Sequence, residues 1–421
     1  MATTSPGRIL TLDVIRGIAV MGIFSVNVID FALIQAAYLN PAAAGGASGA
    51  DLYLWFINHV VIDEKMRTLF SILFGASSAL VFNRALAKGE SGARVHYSRM
   101  AVLFVLGLMH FYLIWFGDIL VSYAFTGMAA YFFLRRGTKT ILIWAGALLF
   151  LNAAMFSGGS WYMHDVQQKV ESRTATSEEL KSWKGISKLS VTDPKKAEQE
   201  TITHRSKWPE RTARRFEKQK FQPFAGLFAF FMETLGLMLI GVAGLRSGFL
   251  TGDWPRRTYI RIAAGGIAIG AIFSVASGLT LIDLGFPPWL ILGANYGFGA
   301  PAHIAMALGY AALIVLMIRP GGWLTARIAA VGRAAFTNYL GTSILASLIF
   351  YGDGLALFGH LSRAQAWAVA VPGIWLIMLL WSKPWLDRFT YGPFEWVWRS
   401  LSRGKLQPMR RSRSAPAAAT A

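Results

Sequence analysis

Polar and ionisable side chains occur inside long apolar runs of this 421-residue sequence, and these residues could do chemistry. His110, in the run GLMHFYLIWFGD, is the foremost of them, because an imidazole takes up and returns a proton near neutral pH. Asp118 ends the same run, where it could orient His110 or simply cap the next helix. A histidine that only hydrogen-bonds a neighbouring helix is the alternative. We therefore take His110 and Asp118 as the candidate catalytic residues.

The first apolar run carries Asp13, Arg16 and Asn27. An α-helix turns once in about 3.6 residues, so these three side chains share one face, which we expect to look into the bundle. Asp13 and Arg16 either form an ion pair that holds this helix to its neighbours, or Arg16 binds an anionic group. Asn27 could contact a substrate or make a packing hydrogen bond.

Further polar residues in or beside apolar runs complete the candidate substrate-binding set. They are Lys65, Arg67, Arg99, Glu233, Arg333, Asn338 and Tyr339. The stretch around Lys65 and Arg67 could be a plain surface cluster or the rim of an entry for an anionic substrate. A metal site is not predicted, because the chain has no cysteine and no four-ligand spacing.

The composition sets the class of protein that must position these residues. Of the chain, 54% is hydrophobic and only 15% is charged, whereas soluble domains carry about 25% charged residues. The net charge of +19 accompanies long apolar runs, so we assign it to basic loops of a membrane protein and expect no nucleic-acid partner. The expected fold is an all-α polytopic bundle that contacts the lipid bilayer.

About 20 apolar residues are needed to cross the hydrocarbon, and on that basis the sequence predicts ten spans. They lie near 9–31, 68–86, 99–116, 118–135, 139–157, 223–246, 258–281, 299–319, 327–350 and 366–383. Lys and Arg concentrate in alternate connectors and in the tail, which predicts that both termini are cytoplasmic.

Five regions follow from this reading. Residues 1–157 hold spans one to five, and 158–222 form a charged, helical extracytoplasmic insertion. Residues 223–384 hold spans six to ten, 385–404 form an interfacial aromatic and basic segment, and 405–421 form a disordered basic tail. The sequence has no Walker loop, no GxSxG elbow and no HExxH, which argues against ATP-driven transport, serine hydrolysis and metalloproteolysis.

Several ordered runs resemble the YeiB family of bacterial inner-membrane proteins. They are RILTLDVIRGIAVMGIFSVNVIDF, AAYLNP, RTLFSILFGASSALVFNRA, VLGLMHFYLIWFGDILVSYAFTGM, MLIGVAGLRSGFL, VGRAAFTNYL and YGPFEWVWR. The Asp13–x–x–Arg16–Gly17 opening also resembles that of a wider transmembrane acyltransferase superfamily.

The resemblance implies a multi-pass protein of the bacterial inner membrane that moves an acyl group from cytoplasmic acyl-CoA to an extracytoplasmic sugar or amine. His110 would then be the base, and Arg16, Arg84, Arg99 and Arg333 would hold the CoA phosphates. No tightly bound cofactor is expected, and acyl-CoA would be a co-substrate. Two other classes stay open: a proton-coupled transporter or exporter of a small molecule that uses Asp13, His110 and Glu233, and a non-catalytic scaffold. The sequence is compatible with a homo-oligomer.

Overall fold

The chain is helical throughout the parts that can be described. The computed structural model describes residues 9–187 and 193–410. Within these ranges the regular elements are helices, and one isolated β-bridge joins Phe389 to Arg410. The predicted all-α class is therefore confirmed.

The first part of the chain forms seven α-helices and two short 3₁₀ helices, Pro41–Ala43 and Tyr131–Phe133. The α-helices are α1 (Leu10–Ala32), α2 (Ala36–Leu39), α3 (Gly49–Val61), α4 (Lys65–Ala87), α5 (Gly92–Leu113), α6 (Leu120–Ala130) and α7 (Thr138–Glu171).

The second part begins with four helices that precede the next long apolar segments: α8 (Ser177–Ser187), α9 (Pro194–Arg205), α10 (Trp208–Lys218) and α11 (Gln222–Ala229). The remaining helices are α12 (Phe231–Arg246), α13 (Arg256–Asp283), α14 (Pro288–Tyr296), α15 (Ala300–Met317), α16 (Trp323–Arg333), α17 (Ala335–Phe350), α18 (Arg363–Arg388) and α19 (Pro393–Arg403).

Six helical segments of the described chain are long and apolar enough to cross a membrane, which makes this a polytopic membrane protein. The pair α11 and α12, bent by 63°, would make a seventh. The described residues therefore provide fewer full-length spans than the ten predicted from the sequence. Segments 118–135 and 327–350 form shorter helices, and 327–350 is broken at Ala334 between α16 and α17.

Four predicted boundaries also change. The connector 32–67 contains α3, which adjoins α4 in one long apolar segment. Helix α7 continues to Glu171, so the predicted insertion 158–222 begins inside a helix. Residues 385–404 are divided between α18 and α19. The start of the basic tail is ordered, because Thr390 N donates to Met409 O (2.8 Å); residues 411–421 lie outside the described ranges.

Helix α1 lies at the centre of the bundle and packs against α4, α16, α17 and α18. Helix α12 packs against α4 and α7, while α13 and α15 form a closely packed pair at the side. Large apolar side chains such as Phe150 on α7 and Ile272 on α13 are exposed, as lipid-facing residues are. We call the end of the bundle where α1 and α5 begin and α4 ends the basic face, and the other end the opposite face.

Candidate functional site

The close approach of α1 and α16 determines the position of the Arg16 side chain. Gly17 and Gly332 lie in this contact, and a Cβ atom on Gly332 would be 1.8 Å from Asp13 O. Glycine permits such contact between helix backbones. As a result Arg16 Nη1 donates to Gly332 O (3.4 Å) as well as to Asp13 Oδ1 (3.3 Å), and Nη2 donates to Ser77 Oγ (2.6 Å).

Asp13 and Arg16 do form an ion pair, and they also line a cavity. Their side chains are 16% and 22% exposed, so neither charge is fully removed from solvent. The pair and the anion-binding role of Arg16 are therefore compatible. Asn27 is half-buried and lies about 16 Å farther along α1, so one helical face does not bring it to Arg16.

A cavity of about 250 Å³ opens at the basic face; we call it the basic cavity. It is lined by five arginines, Arg16, Arg84, Arg99, Arg333 and Arg399, and by the carboxylates Asp13 and Glu395. Five helices, α1, α4, α5, α16 and α19, supply these side chains. The four arginines named from the sequence thus meet in one place, together with a net surplus of positive charge.

Helix α19 contributes cavity residues that are not among the candidates predicted from the sequence. The sequence indicates only an interfacial segment at 385–404. Arg99 stacks on Trp398, with 4.1 Å from its guanidinium carbon to the ring centroid, and Trp398 Nε1 donates to Arg99 O (2.9 Å). Arg399 lines the cavity beside them, and burial lowers the pKa of its guanidinium from the usual range. The arginine content of YGPFEWVWRS was the available signal.

Glu395 fastens α19 to the start of α17. Its carboxylate accepts hydrogen bonds from Phe336 N (2.7 Å), Thr337 N (3.0 Å) and Thr337 Oγ1 (2.5 Å). The carboxylate thereby satisfies backbone N–H donors that the start of a helix leaves unpaired. Burial raises the pKa of Glu395, although its hydrogen bonds to Thr337 act in the opposite direction. The break at Ala334 is thereby held beside the cavity.

His110 and Asp118 are brought together at the opposite face. His110 Nδ1 lies 2.7 Å from Asp118 Oδ1, and both side chains are 1% exposed. Asp118 Oδ2 also accepts from Val121 N (2.9 Å), so this carboxylate both caps α6 and contacts the imidazole. His110 lies in the last turn of α5.

Tyr339 connects the two regions. It lines the basic cavity, and its ring centroid lies 5.3 Å from that of His110. Within the described chain, Tyr339 Oη and His110 Nε2 are both buried without a hydrogen bond. Asn338, by contrast, is used structurally: its amide bonds Val331 O, Ser382 Oγ and Trp381 Nε1.

Arg67 and Glu233 form a separate cluster at the start of α4 and α12. Arg67 Nη2 lies 2.8 Å from Glu233 Oε1 and also pairs with Glu64, whose backbone has a positive φ of 60°. Lys65 is fully buried, with Nζ donating to His59 O (2.5 Å). Two carboxylates on Arg67 leave this cluster less suited to an anion than the basic cavity is.

The helices and the basic cavity define a class: an all-helical polytopic membrane protein with an arginine-lined cavity at one face. The chain belongs to the YeiB family, as its resemblance predicted. It is 31% identical over 423 residues to "Uncharacterized protein YeiB" of Escherichia coli (strain K12), covering 94% of this chain and 96% of the other. It is 28% identical over 419 residues to "Uncharacterized protein YxaH" of Bacillus subtilis (strain 168), covering 97% of each.

The family model described as "Protein of unknown function (DUF418)" matches residues 245–405. This range contains the part of the basic cavity supplied by Arg333, Tyr339, Glu395 and Arg399. No solved structure matches the chain.

Proposed function

We propose that this protein transfers an acyl group from acyl-CoA at its cytoplasmic face to an extracytoplasmic acceptor, a sugar or an amine, in the bacterial inner membrane. The observation that carries the proposal is that Tyr339, which lines the basic cavity, lies with its ring centroid 5.3 Å from that of His110. A donor in the cavity and an acceptor at the opposite face would approach the imidazole from different sides.

The donor would bind by its phosphates in the basic cavity. Five arginines face two carboxylates there, so a ligand carrying several negative charges is favoured. Guanidinium forks bind phosphate by paired hydrogen bonds. Apolar residues such as Phe70, Phe74 and Leu103 also line the cavity, which suits the thioester arm and its acyl group.

The imidazole geometry supports His110 as the base. In the neutral imidazole, a hydrogen bond from Nδ1 to Asp118 Oδ1 would leave the lone pair of His110 Nε2 available to act as a base. Nε2 would take the proton of the acceptor hydroxyl or amine while that oxygen or nitrogen attacks the thioester carbonyl. The new acyl bond forms, the carbon–sulfur bond breaks, and the departing CoA thiolate receives the proton from His110.

The test follows labelled acyl-CoA and acceptor mass with purified protein and a panel of sugars and amines. General-base catalysis contributes about 10²–10⁴-fold, so His110→Ala should lower transfer by about that factor and leave acyl-CoA affinity intact. His360→Ala, at an exposed histidine, is the matched control and should transfer normally. Normal transfer by His110→Ala would refute the assigned base.

Transport is the alternative outcome of the same test. A relay through Asp13, His110 and Glu233 would need these groups to be connected, whereas each has its own ionic partner: Arg16, Asp118 and Arg67. Consumption of the thioester with acylated acceptor supports transfer. Proton-dependent movement of a substrate across vesicle membranes, with no thioester consumed, would refute acyl transfer and support transport.

A further inference from the structure

Buried polar atoms without hydrogen bonds gather beside His110 at the opposite face. Within the described residues, Asp30 Oδ1, Trp115 Nε1, Arg215 Nη2 and Tyr351 Oη are all of this kind. They come from the end of α1, the turn between α5 and α6, α10, and the end of α17. We call these four residues the outer cluster.

Direct contacts join the outer cluster to His110. The Phe31 ring stacks on Trp115 at 4.4 Å and lies 5.9 Å from the Tyr351 ring. Trp115 in turn lies 6.2 Å from the His110 ring. Tyr351 also interacts electrostatically with Asp30 and Arg215. The unsatisfied atoms therefore belong to one continuous region that begins at the candidate base.

Such a concentration requires an explanation, because folded proteins bond nearly all of their buried polar groups. An unmade hydrogen bond in a buried place costs stability. The simplest explanation for four such atoms in one region is that they form hydrogen bonds to a ligand when the protein functions.

Helices α9 and α10 lie over this region and are attached by both aromatic and polar contacts, since the His204 ring stacks on Phe358 (4.4 Å) and the Phe216 ring on Tyr112 (4.5 Å). Trp208 Nε1 donates to Leu113 O (2.7 Å), Arg205 Nε donates to Phe358 O (2.8 Å), and Arg211 pairs with Asp353 (2.5 Å). Polar contacts of this kind can be exchanged for contacts with water when the two helices move. Movement of α9 and α10 would open a route from the opposite face to the outer cluster.

We propose that the outer cluster is the acceptor site and that its ligand is uncharged and carries hydroxyl groups. Trp115 and Arg215 offer only donors, Asp30 Oδ1 accepts, and the Tyr351 hydroxyl does both. A hydroxyl group complements all of these, whereas the dianion of a phosphate monoester has no proton to donate to Asp30 Oδ1 and an ammonium group cannot accept from Arg215. This inference rests on the proposed transfer reaction and selects hydroxyl over amine acceptors.

The experiment measures thermal unfolding of the purified full chain with millimolar glycerol, D-glucose, N-acetyl-D-glucosamine, D-glucosamine or D-glucose 6-phosphate. A ligand that binds only the folded state raises the unfolding midpoint saturably. We expect saturable stabilisation by at least one neutral probe and at least about tenfold weaker binding of the two charged probes. Tyr351→Phe and Asp30→Asn should weaken the neutral probe about tenfold, since the first removes a hydroxyl group and the second replaces an accepting oxygen by a donating amide NH2.

Tyr53→Phe, at a tyrosine that is 73% exposed, is the matched control and should bind the neutral probe as the unmodified protein does. Failure of every neutral probe to saturate overturns the proposal, as does equal binding of the charged probes. If Tyr351→Phe also raises the unfolding midpoint, the outer cluster is a strained part of the packed interior and not a ligand site. Because this assay contains no acyl-CoA, saturable binding that depends on Tyr351 supports the site even where the separate transfer assay detects no product.

Discussion

Replacing Gly332 by alanine tests the contact that places Arg16 and Arg333 in the basic cavity. The added Cβ would lie 1.8 Å from Asp13 O and 2.6 Å from Gly17 N. Real Cβ contacts shorter than 3.0 Å are essentially never seen, so α1 and α16 must separate by about 1.2 Å or more at this point. Both near atoms belong to backbone, so no side-chain rotation can relieve the clash.

Two measurable losses should follow. Overpacking of this kind costs about 1–3 kcal/mol, so the unfolding midpoint should fall. The hydrogen bond from Arg16 to Gly332 O, already 3.4 Å long, should break, and acyl-CoA binding should weaken about tenfold or more. The assays are thermal unfolding in detergent and titration with labelled acyl-CoA.

Gly265→Ala is the matched control, and its expected effect on stability is opposite to that of Gly332→Ala. Gly265 lies inside α13, and a Cβ there has no heavy atom within 4 Å. Alanine is favoured over glycine inside a helix by about 0.5–1 kcal/mol, so this variant should be equally stable or more stable and should bind acyl-CoA normally. If Gly332→Ala matched Gly265→Ala in both assays, the close approach of α1 and α16 would be refuted.

Three further predictions concern other regions. Arg16→Lys should keep the fold but weaken acyl-CoA binding about tenfold, because an ammonium group cannot replace the guanidinium fork; unchanged affinity would leave only the ion-pair role. Burial lowers the pKa of His204 to about 3, below its unfolded value of about 6.5, so its contribution to stability is present above pH 6.5 and is lost as pH falls towards 3. Protease cleavage of the segment 165–215 should therefore rise on acidification, and less steeply in His204→Phe; equal slopes would contradict this. Reporters fused after Arg136 and at the C-terminus should report the cytoplasm and reporters within 165–215 the extracytoplasmic side, whereas a cytoplasmic signal from 165–215 would overturn the proposed sidedness.

The sequence predicted those features that depend on local composition. Long apolar runs indicate membrane helices because hydrocarbon admits few polar side chains, and the helical class follows because each helix satisfies its own backbone. Single residues were also informative: a histidine and an acid in one apolar run, His110 and Asp118, do contact each other. The count of spans was less predictable, because hydropathy does not reveal that a segment such as 327–350 breaks at Ala334.

Only the tertiary structure decided which of the polar residues lie together. Arg16, Arg84, Arg99 and Arg333 are far apart in the sequence, and they meet because α1, α4, α5 and α16 converge at the basic face. That convergence depends on the short distance between the backbones of α1 and α16, which Gly17 and Gly332 permit. The periodicity of apolar residues does not indicate this distance. Lys65, Arg67 and Glu233, equally plausible from sequence, lie at the opposite face instead. The same packing brings in α19, whose Arg399 and Glu395 are ordinary surface residues by sequence and become cavity residues by contact.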